Sequence, residues 1–531
     1  MTLKPDNHRR SERPAGATRG RRPAERSSAA VRQESRLGNA SRRLGEFMDS
    51  RPLLDYTMIR TVVLVLAGLG VVMVLSSSMA MSVANNQAPW SIALRQLLMV
   101  IGGLVAFWAA LKIPPSRLHK LSVVLMWVAV FLLIAVLTPL GTGKESVGSQ
   151  SWLELGPLRL QPSELARIAI AIWGAQEVAN KDATRPLQAG TGTLRFTVVS
   201  VICLALIAAQ GDFGMAVSFA LVVAFILLFA GISWRTIGIF AGIGAIFLFS
   251  QFAAGGFRSN RFHVYFDALL GHFEDTRGIA FQSHQGFLSL ADGALFGVGL
   301  GQSRAKWFYL PEAQNDFIFA VIGEELGLWG GALVICLFAM LGYFGLRAAR
   351  RAQTQEQRLM AASLAAAVVS QAFINIGYVV GLLPVTGIQL PMLSAGGTSA
   401  VITFGAMGVL ASVARHEPDA VSAMQNYGRP LFDQLLLIGE PRPVDKQGTP
   451  RPKTTSRKRE GSRSGRVVRP NQRDARFGTP VTARGATGSG RRTDDERGRP
   501  SRRREQARYD EPRNSARRGE RRAGERCRSA T

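Results

Sequence analysis

Ten long apolar segments in the middle of the chain restrict its fold more than any other feature. Most are close to the length of about 20 residues that an α-helix needs to cross a bilayer, and short polar turns separate many of them. The segments lie near residues 57–78, 94–112, 120–140, 164–181, 195–210, 213–231, 235–256, 317–345, 359–383 and 395–415. We therefore expect an all-α polytopic membrane protein with about ten transmembrane helices.

The turns between these segments differ in charge, and the difference predicts the orientation of the chain. Alternate turns carry Lys or Arg while the opposite turns are poor in both, which is expected if the basic turns are cytoplasmic. The basic residues are Arg117, Lys120, Lys181, Arg185, Arg195, Arg235, Arg347, Arg350, Arg351 and Arg358. Both termini are then cytoplasmic. Only residues 210–212 separate the fifth and sixth segments, so a kinked pair or one re-entrant turn is an alternative there.

Two basic regions, residues 1–55 and 416–531, flank a membrane domain of residues 56–415. They hold most of the basic residues in a chain whose formal net charge is +27 although 47% of it is hydrophobic. Their Arg, Ser, Gly and Pro content predicts disordered cytoplasmic tails whose nearest partner is anionic lipid. We expect no nucleic-acid partner, because no aromatic platform accompanies the charges. The short apolar piece at 431–438 could dock a partner or lie in the membrane interface.

Two long outward loops, near residues 141–163 and 257–316, are where functional surface is expected. The second loop contains a glycine series without the Gly-Lys-Ser/Thr ending of a phosphate-binding loop, so we expect no nucleotide site. Its three histidines, His263, His272 and His284, have no metal-ligand spacing, so we expect no zinc site. The energy for any reaction must therefore come with the substrate.

The stretch from Lys306 to Gly327 places the carboxylates of Asp316, Glu324 and Glu325 around the mouth of an apolar helix. Placing such a group in hydrocarbon costs about 2.5 kcal/mol or more, so it normally faces a polar cavity. We interpret this stretch as part of a reaction or transport path.

Other polar positions allow two interpretations each. Glu164 and Arg167 share a helical face, either as a structural ion pair or as part of a substrate cavity. Asp212 is likewise either a cavity residue or a structural one. The stretch 383–399 combines prolines with paired glycines, which predicts irregular backbone lining a cavity, or else a loop and a helix cap.

Five blocks of residues match one known family. They are Gln161-Pro-Ser-Glu164, Leu310-Pro-Glu-Ala313, Asn315-Asp-Phe-Ile-Phe319, Gly323-Glu-Glu-Leu-Gly327 and Pro391-Met-Leu-Ser-Ala-Gly-Gly-Thr-Ser399. In these blocks, in order across the span region, the chain resembles the SEDS family of cell-wall polymerases. Glu312-Ala313, Ser394-Ala395, Arg415-His-Glu-Pro418 and the long basic tails resemble the actinobacterial division members more than the elongation members.

The resemblance implies a peptidoglycan glycosyltransferase that polymerises lipid II into undecaprenyl-linked glycan at the division septum, on the outer face of the plasma membrane. In the family, the aspartate that matches Asp316 is the proposed catalytic residue. A carboxylate there suits a general base that deprotonates the acceptor hydroxyl, and the lipid pyrophosphate is the leaving group. The resemblance also implies a class B penicillin-binding protein as partner, and divisome proteins that bind the tails.

A wider set of residues is expected to bind substrate around Asp316. Arg167, Arg261 and Lys306 are candidates to bind the pyrophosphate, in some cases with Mg²⁺ or Mn²⁺, although no metal site or other cofactor is assigned. Gln314 stands where the family often has histidine, so it can hydrogen-bond but cannot carry a charge. The full set of further candidates is Glu164, Asp212, Gln282, Glu312, Gln314, Asn315, Glu325, Ser394, Gly396 and Gly397.

Three other functions stay open from the sequence. A lipid II flippase or secondary transporter also fits ten spans with buried carboxylates, although the charges here cluster at the outward ends of spans rather than at the midplane. A noncatalytic division scaffold would use the spans only as an anchor. The third is the role of the elongation branch of the family.

Overall fold

Long helices make up most of the computed structural model, which describes residues 45–144, 148–156, 158–179, 191–232 and 279–441 together with isolated positions. The described helices are α1 (Leu54–Ala84), α2 (Ser91–Lys112), α3 (Leu118–Val136), α4 (Pro162–Val178), α5 (Thr191–Ala209), α6 (Phe213–Phe229), α7 (Ile279–Gly293), α8 (Ile318–Arg351), α9 (Gln355–Val379), α10 (Thr398–Arg415), α11 (Pro418–Tyr427) and α12 (Leu431–Leu435).

Seven helices within this part of the chain are long and apolar enough to cross a membrane, namely α1, α2, α3, α5, α8, α9 and α10. The shorter α6 is also apolar. Nine of the ten predicted segments coincide with a described helix, because α4 and α6 match as well. The remaining segment, 235–256, lies outside the described residues apart from isolated positions. The prediction of an all-α polytopic membrane protein is confirmed.

The fifth and sixth predicted segments form two separate helices. α5 ends at Ala209 and α6 begins at Phe213, with Asp212 as its N-cap. The Asp212 carboxylate accepts a hydrogen bond from the Met215 amide at 3.0 Å, which satisfies one of the backbone donors left free at a helix start. This cap explains how so short a polar turn separates two helices.

The helices differ in how much of their surface other parts of the protein cover. α9 and α10 are mostly buried within the bundle, whereas α2, α3 and α5 leave most of their apolar surface exposed. A membrane helix can expose apolar side chains to lipid without cost, so the exposed helices form the periphery. Of these two mostly buried helices, α9 carries Asn375 and Tyr378, which hold the loops of the site described below, and α10 begins at that site.

Glycines bring α2 and α10 close together. A Cβ on Gly408 would lie 2.4 Å from the Phe107 carbonyl oxygen, and a Cβ on Gly103 would lie 2.4 Å from the Phe404 ring. Small residues are favoured at such contacts because lipid offers no hydrophobic drive for helix association, so van der Waals packing must supply it. Larger residues at either position would separate the two helices.

α8 is broken near its N-terminal end at Gly327, which has φ 68° and ψ −164°. A Cβ there would lie 2.4 Å from the Gly297 amide, so the segment after α7 packs directly against the break. That segment also satisfies the backbone around the break: the Val298 amide donates to the Glu324 carbonyl at 2.9 Å, and the Leu328 amide donates to the Ala294 carbonyl at 2.9 Å. Irregular backbone is tolerated here because the protein covers it.

A small antiparallel sheet, which was not predicted from the sequence, occupies the first of the two loops expected to face outward. Its strands are β1 (Gly141–Thr142), β2 (Trp152–Leu155) and β3 (Leu158–Leu160). Thr142 lies opposite Trp152, and Leu155 lies opposite Leu158. The sheet leads directly into α4 and forms one wall of the cavity described below.

Ordered structure continues beyond residue 415, where the sequence analysis placed the start of the C-terminal tail. α11 and α12 follow α10, and the Asp433 carboxylate of α12 is buried. It accepts hydrogen bonds from the Tyr56 hydroxyl at 2.5 Å and from the Arg415 guanidinium at 2.7 Å. The apolar piece 431–438 is too short to span a membrane, but it docks on the bundle because Asp433 pairs with the buried cation of Arg415.

A cluster of charges lies at this same end of the bundle. Arg347 of α8 forms an ion pair with Asp55 of α1 and another with Asp49 at 2.9 Å. Arg351 pairs with Asp419 of α11 at 3.3 Å. Glu417 is buried beside the cluster, and neither of its carboxylate oxygens has a hydrogen-bond partner among the described residues.

Glu417 is expected to make the stability of the protein depend on pH. Burial, and then the nearby Asp55 carboxylate, raises the pKa of Glu417 from its ordinary value of 4.5 to about 9. A carboxyl whose pKa is higher in the folded protein stabilises the fold at low pH, and this contribution is lost as the pH rises through about 9. Between pH 4.5 and about 9, the melting temperature of the wild-type protein should therefore fall more steeply than that of Glu417→Gln. The measurement is thermal unfolding in detergent at a series of pH values. The exposed Glu440→Gln should keep the wild-type slope, and a wild-type slope in Glu417→Gln would show that Glu417 is ionised in the folded protein.

Candidate functional site

Asp316 stands in the loop before α8, and its backbone is held by two buried side chains of α9. The Asp316 carbonyl accepts hydrogen bonds from the Asn375 amide and from the Tyr378 hydroxyl, each at 2.8 Å. The same two groups lie 2.7 and 2.8 Å from the Ile388 carbonyl. The Tyr378 ring also packs against the ring of Phe317, with centroids 5.6 Å apart. The half-buried Asp316 is therefore fixed relative to the loop that precedes α10.

Ser394 forms a second connection between these two loops. Its hydroxyl donates to the Asn315 carbonyl at 2.6 Å and accepts from the Leu390 amide at 2.8 Å. Next to it, the Ala395 amide donates to the Gln314 carbonyl at 3.0 Å. The structure thus brings together Gln314, Asn315 and Ser394, which the sequence analysis placed in one site.

A cavity of about 280 Å³ opens beside the two loops. Its lining combines polar and apolar groups, and the side-chain oxygens of Gln314 and Gln389 are buried there without a hydrogen-bond partner among the described residues. An unpaired buried amide oxygen is costly unless a ligand or water completes its hydrogen bonding. The lining includes Arg95, Gln96, Trp152, Arg159, Gln314, Asn315, Gln389, Gly396, Gly397 and Thr398. The irregular stretch 383–399 therefore lines a cavity and also caps α10.

Two arginines that the sequence analysis did not select line this cavity. Arg95 has no acidic partner within the described ranges, and Arg159 lies 5.2 Å from the Trp152 ring with an exposed ion pair to Glu154 at 3.4 Å. The Arg159 carbonyl accepts from the Thr398 hydroxyl at 2.6 Å, which ties the sheet to the start of α10. Arg95 had a sequence signal, because it is a basic residue at the end of a span that faces away from the basic turns.

Glu164 and Arg167 form a buried ion pair with a distance of 2.8 Å. Arg167 also donates to the Ala367 carbonyl at 3.0 Å, and Gln371 donates to Glu164 at 3.3 Å. Of the two interpretations given above, these contacts fit the structural ion pair. Because its charge is already compensated and it has no exposed surface, Arg167 is poorly placed to bind a pyrophosphate.

The segment between α7 and the Asp316 loop is held against the bundle by contacts of Lys306, Glu324 and Glu325. Glu325 lies 3.4 Å from the Lys306 ammonium and accepts from the Ser76 hydroxyl at 2.6 Å. Glu324 accepts from the Ser303 hydroxyl at 2.7 Å. These side chains are buried, so the sequence expectation that Lys306 and Glu325 bind substrate is not supported by their contacts. Their charges compensate each other instead.

The other predicted residues shape the loops. Gln161 donates to the Asp212 carboxylate at 2.8 Å, so Asp212 has the structural role of a helix cap. Gln282 donates to the Pro311 carbonyl at 3.1 Å and thereby supports the Asp316 loop from α7. Glu312 is exposed with φ 55° and accepts from the Asn315 side chain at 2.5 Å. Arg261 lies outside the described residues.

Glycines determine the shape of the cavity at the start of α10. A Cβ on Gly396 would lie 2.2 Å from the Gln389 amide oxygen, so any side chain there would displace the buried amide. Gly397 is the N-cap of α10 and has φ 52°, a conformation that favours glycine. Within the described ranges, no group of three or more His, Cys, Asp or Glu side chains is arranged to hold a metal ion.

Known proteins resemble this chain over its span region and beyond. The model of a family described as cell cycle proteins, FtsW/RodA/SpoVE, matches residues 56–419. A probable peptidoglycan glycosyltransferase FtsW of Mycobacterium tuberculosis is 36% identical over 491 residues, which cover 89% of this chain and 92% of that protein. The stage V sporulation protein E of Bacillus subtilis is 34% identical, with 67% of this chain and 95% of that protein covered.

Solved structures show the same fold. One is a chain of a peptidoglycan synthase complex described for its coordination of polymerization and crosslinking, with a TM-score of 0.55 and 22% identity over 68% of this chain and 97% of that chain. Another is the rod shape determining protein RodA of Thermus thermophilus, with a TM-score of 0.50 and 23% identity over 68% of this chain and 96% of that chain. The family match and the curated relatives together place this chain in the FtsW/RodA/SpoVE family of cell cycle proteins, the SEDS family.

Proposed function

We propose that this protein is a peptidoglycan glycosyltransferase that polymerises lipid II into glycan strands during septal wall synthesis. The names of the curated relatives support the activity. The observation that carries the mechanism is the position of Asp316: two buried side chains of α9 hold its backbone, and the residue before it, Asn315, lines a cavity with two arginines. A group-transfer reaction needs a catalytic side chain held in place and nearby cations that stabilise the charge on the leaving group.

In this mechanism, Asp316 acts as the general base. Its carboxylate takes the proton from the attacking sugar hydroxyl of the acceptor, and the freed oxygen forms the new bond to the anomeric carbon of the donor. The bond between that carbon and the phosphate oxygen breaks, and the lipid pyrophosphate leaves with the electron pair. The fixed backbone at Asp316 keeps the base in place without reorganisation during the reaction.

Arg95 and Arg159 are placed to bind the negative charge of the pyrophosphate. We assign this role to them because Arg167 and Lys306, which the sequence suggested, are buried in ion pairs. Arginine presents several donors in a plane that matches phosphate oxygens, so it stabilises the charge that grows on the leaving group. A divalent cation bound with the pyrophosphate would add to this effect.

The alternative functions fit these contacts less well. A transporter needs charged groups near the midplane that are accessible from both sides of the membrane. The buried charges of Arg167 and Lys306 are instead neutralised by Glu164 and Glu325. A noncatalytic scaffold would not need a cavity lined by two arginines and two unpaired amide oxygens. We favour the division branch over the elongation branch because these curated relatives are named FtsW.

The partners and the location follow from the same proposal. The chain is a multi-pass membrane protein. We infer a class B penicillin-binding protein as its transpeptidase partner, supported by the fold shared with the peptidoglycan synthase complex. We also propose a septal location, cytoplasmic termini, a membrane domain of residues 56–415, and basic tails that bind divisome proteins and anionic lipid.

Replacing Asp316 tests the proposed base. Asp316→Asn keeps the size of the side chain but cannot accept the proton, so glycan synthesis from purified lipid II should fall roughly a hundredfold or more. The measurement is strand length and yield with the cognate penicillin-binding protein present. Asp292→Asn, an exposed aspartate at the end of α7, is the matched control and should retain activity. Unchanged polymerisation in Asp316→Asn would show that Asp316 is not the general base. Movement of lipid II across liposome membranes without formation of polymer would favour the flippase function.

Replacing Tyr378 tests whether the hydrogen bonds to the Asp316 carbonyl position the base. Tyr378→Phe removes only the hydroxyl and keeps the ring on Phe317, so kcat should fall roughly tenfold while KM changes little. Tyr343→Phe is the control, because this hydroxyl is exposed and has only a weak contact with Met48 at 3.6 Å. Equal kcat values for the two variants would contradict the positioning role.

Replacing Arg95 tests pyrophosphate binding. Arg95→Gln should raise KM for lipid II roughly tenfold, and Arg95→Lys should restore part of the loss because it keeps the charge without the planar donors. Arg117→Gln, in a cytoplasmic turn, should leave KM unchanged. A wild-type KM in Arg95→Gln would show that the pyrophosphate binds elsewhere.

A further inference from the structure

The segment after α11 has an exposed apolar surface that no membrane span accounts for. Leu431, Leu435 and Leu437 are 77%, 81% and 78% exposed, and we call them the leucine face. Leu431 and Leu435 are four residues apart on α12 and therefore share one side of the helix. Single exposed leucines are ordinary in proteins, but three in the short segment 431–437, two of them on one side of α12, indicate an interaction surface.

The opposite side of the same segment is firmly attached to the bundle. Asp433 is buried between Tyr56 and Arg415, and Ile438 is buried as well. The Arg60 guanidinium lies 4.3 Å from the centre of the Phe432 ring. The leucine face is therefore presented in a fixed orientation, so its exposure does not come from a loose end of the chain.

Trp108 locates the segment relative to the membrane. Its indole nitrogen donates to the Leu436 carbonyl at 2.8 Å, and the Lys112 ammonium lies 3.7 Å from the centre of its ring. Both residues are in the last part of the α2 span. Tryptophan and lysine at a span end mark the boundary between hydrocarbon and headgroups. Leu436 thus lies at the level of the lipid headgroups.

The leucine face continues the lipid-facing surface of α2. Ile101 and Val105 are exposed and precede Trp108 by seven and three residues, so the three share one side of α2. That exposed apolar strip ends at Trp108, and the hydrogen bond from Trp108 joins it to the segment that carries the leucine face. A bilayer that covers the strip reaches the level of Leu436.

We propose that the leucine face inserts into the bilayer leaflet at this end of the bundle and that lipid is its partner. The segment then acts as an interfacial anchor, with its apolar side in the headgroup region and its polar side on the bundle. Arg60, Lys112 and Arg429 lie on or beside the segment, which favours anionic headgroups around it. The proposal does not depend on the glycosyltransferase activity.

Spin labels on the full-length chain in nanodiscs that contain anionic lipid test this anchor. Cys203, Cys336 and Cys527 are first replaced, and single cysteines are then introduced as Leu431→Cys, Leu435→Cys and Leu437→Cys. Asn426→Cys, on the exposed part of α11, is the matched control. The measurement compares collisions with oxygen, which concentrates in lipid, against collisions with a water-soluble nickel complex.

Insertion predicts an oxygen-to-nickel ratio at the three leucine positions severalfold higher than at the Asn426 position. Leu435→Glu in the background of Leu431→Cys should lower that ratio, because a charge on this side lifts the helix towards water. Equal ratios at leucine and control positions would overturn the proposal and would assign the leucine face to a protein partner. Each label leaves the buried Asp433 contacts intact, so a loss of folding does not confuse the result.

Discussion

The hydrogen bonds that Asn375 and Tyr378 give to the carbonyls of Asp316 and Ile388 are the contacts on which the site depends. Two loops of irregular backbone meet inside a membrane protein, where no bulk water can satisfy their polar groups. The α9 side chains supply the missing donors, and Ser394 adds a third connection. The loops can therefore keep shapes that a helix would not allow, and Asp316 is held next to Asn315, which lines the cavity.

The charged side chains considered for the site fall into two classes with different roles. The pairs of Glu164 with Arg167 and of Lys306 with Glu325 are buried and compensated, so they fix the structure and are expensive to break. Arg95 and Arg159 face the cavity with exposed surface, so their charge is accessible to a ligand. The distinction depends on burial and partners, and it separates residues that look alike in sequence.

The sequence predicted the helices well because span length and apolar composition are strong local signals, and nine predicted segments match described helices. It also predicted that Gln314, Asn315 and Ser394 lie together. It did not predict that Lys306 reaches Glu325, because that pairing depends on how the segment after α7 folds back onto α8. Nor did it predict docking of α12, since the buried partner of Asp433 comes from a different helix.

The close packing of α2 on α10 has a mechanical consequence. α2 carries Arg95 at the cavity and Trp108 at the opposite membrane surface, about 20 Å apart along one helix. Gly103 lies against Phe404, and Gly408 lies against Phe107 next to Trp108, so α2 is held to α10 both in its middle and near its Trp108 end. The two helices therefore behave as one rigid pair. Because neither can slide along the other, Arg95 keeps its position relative to Gly396 and Gly397 at the start of α10.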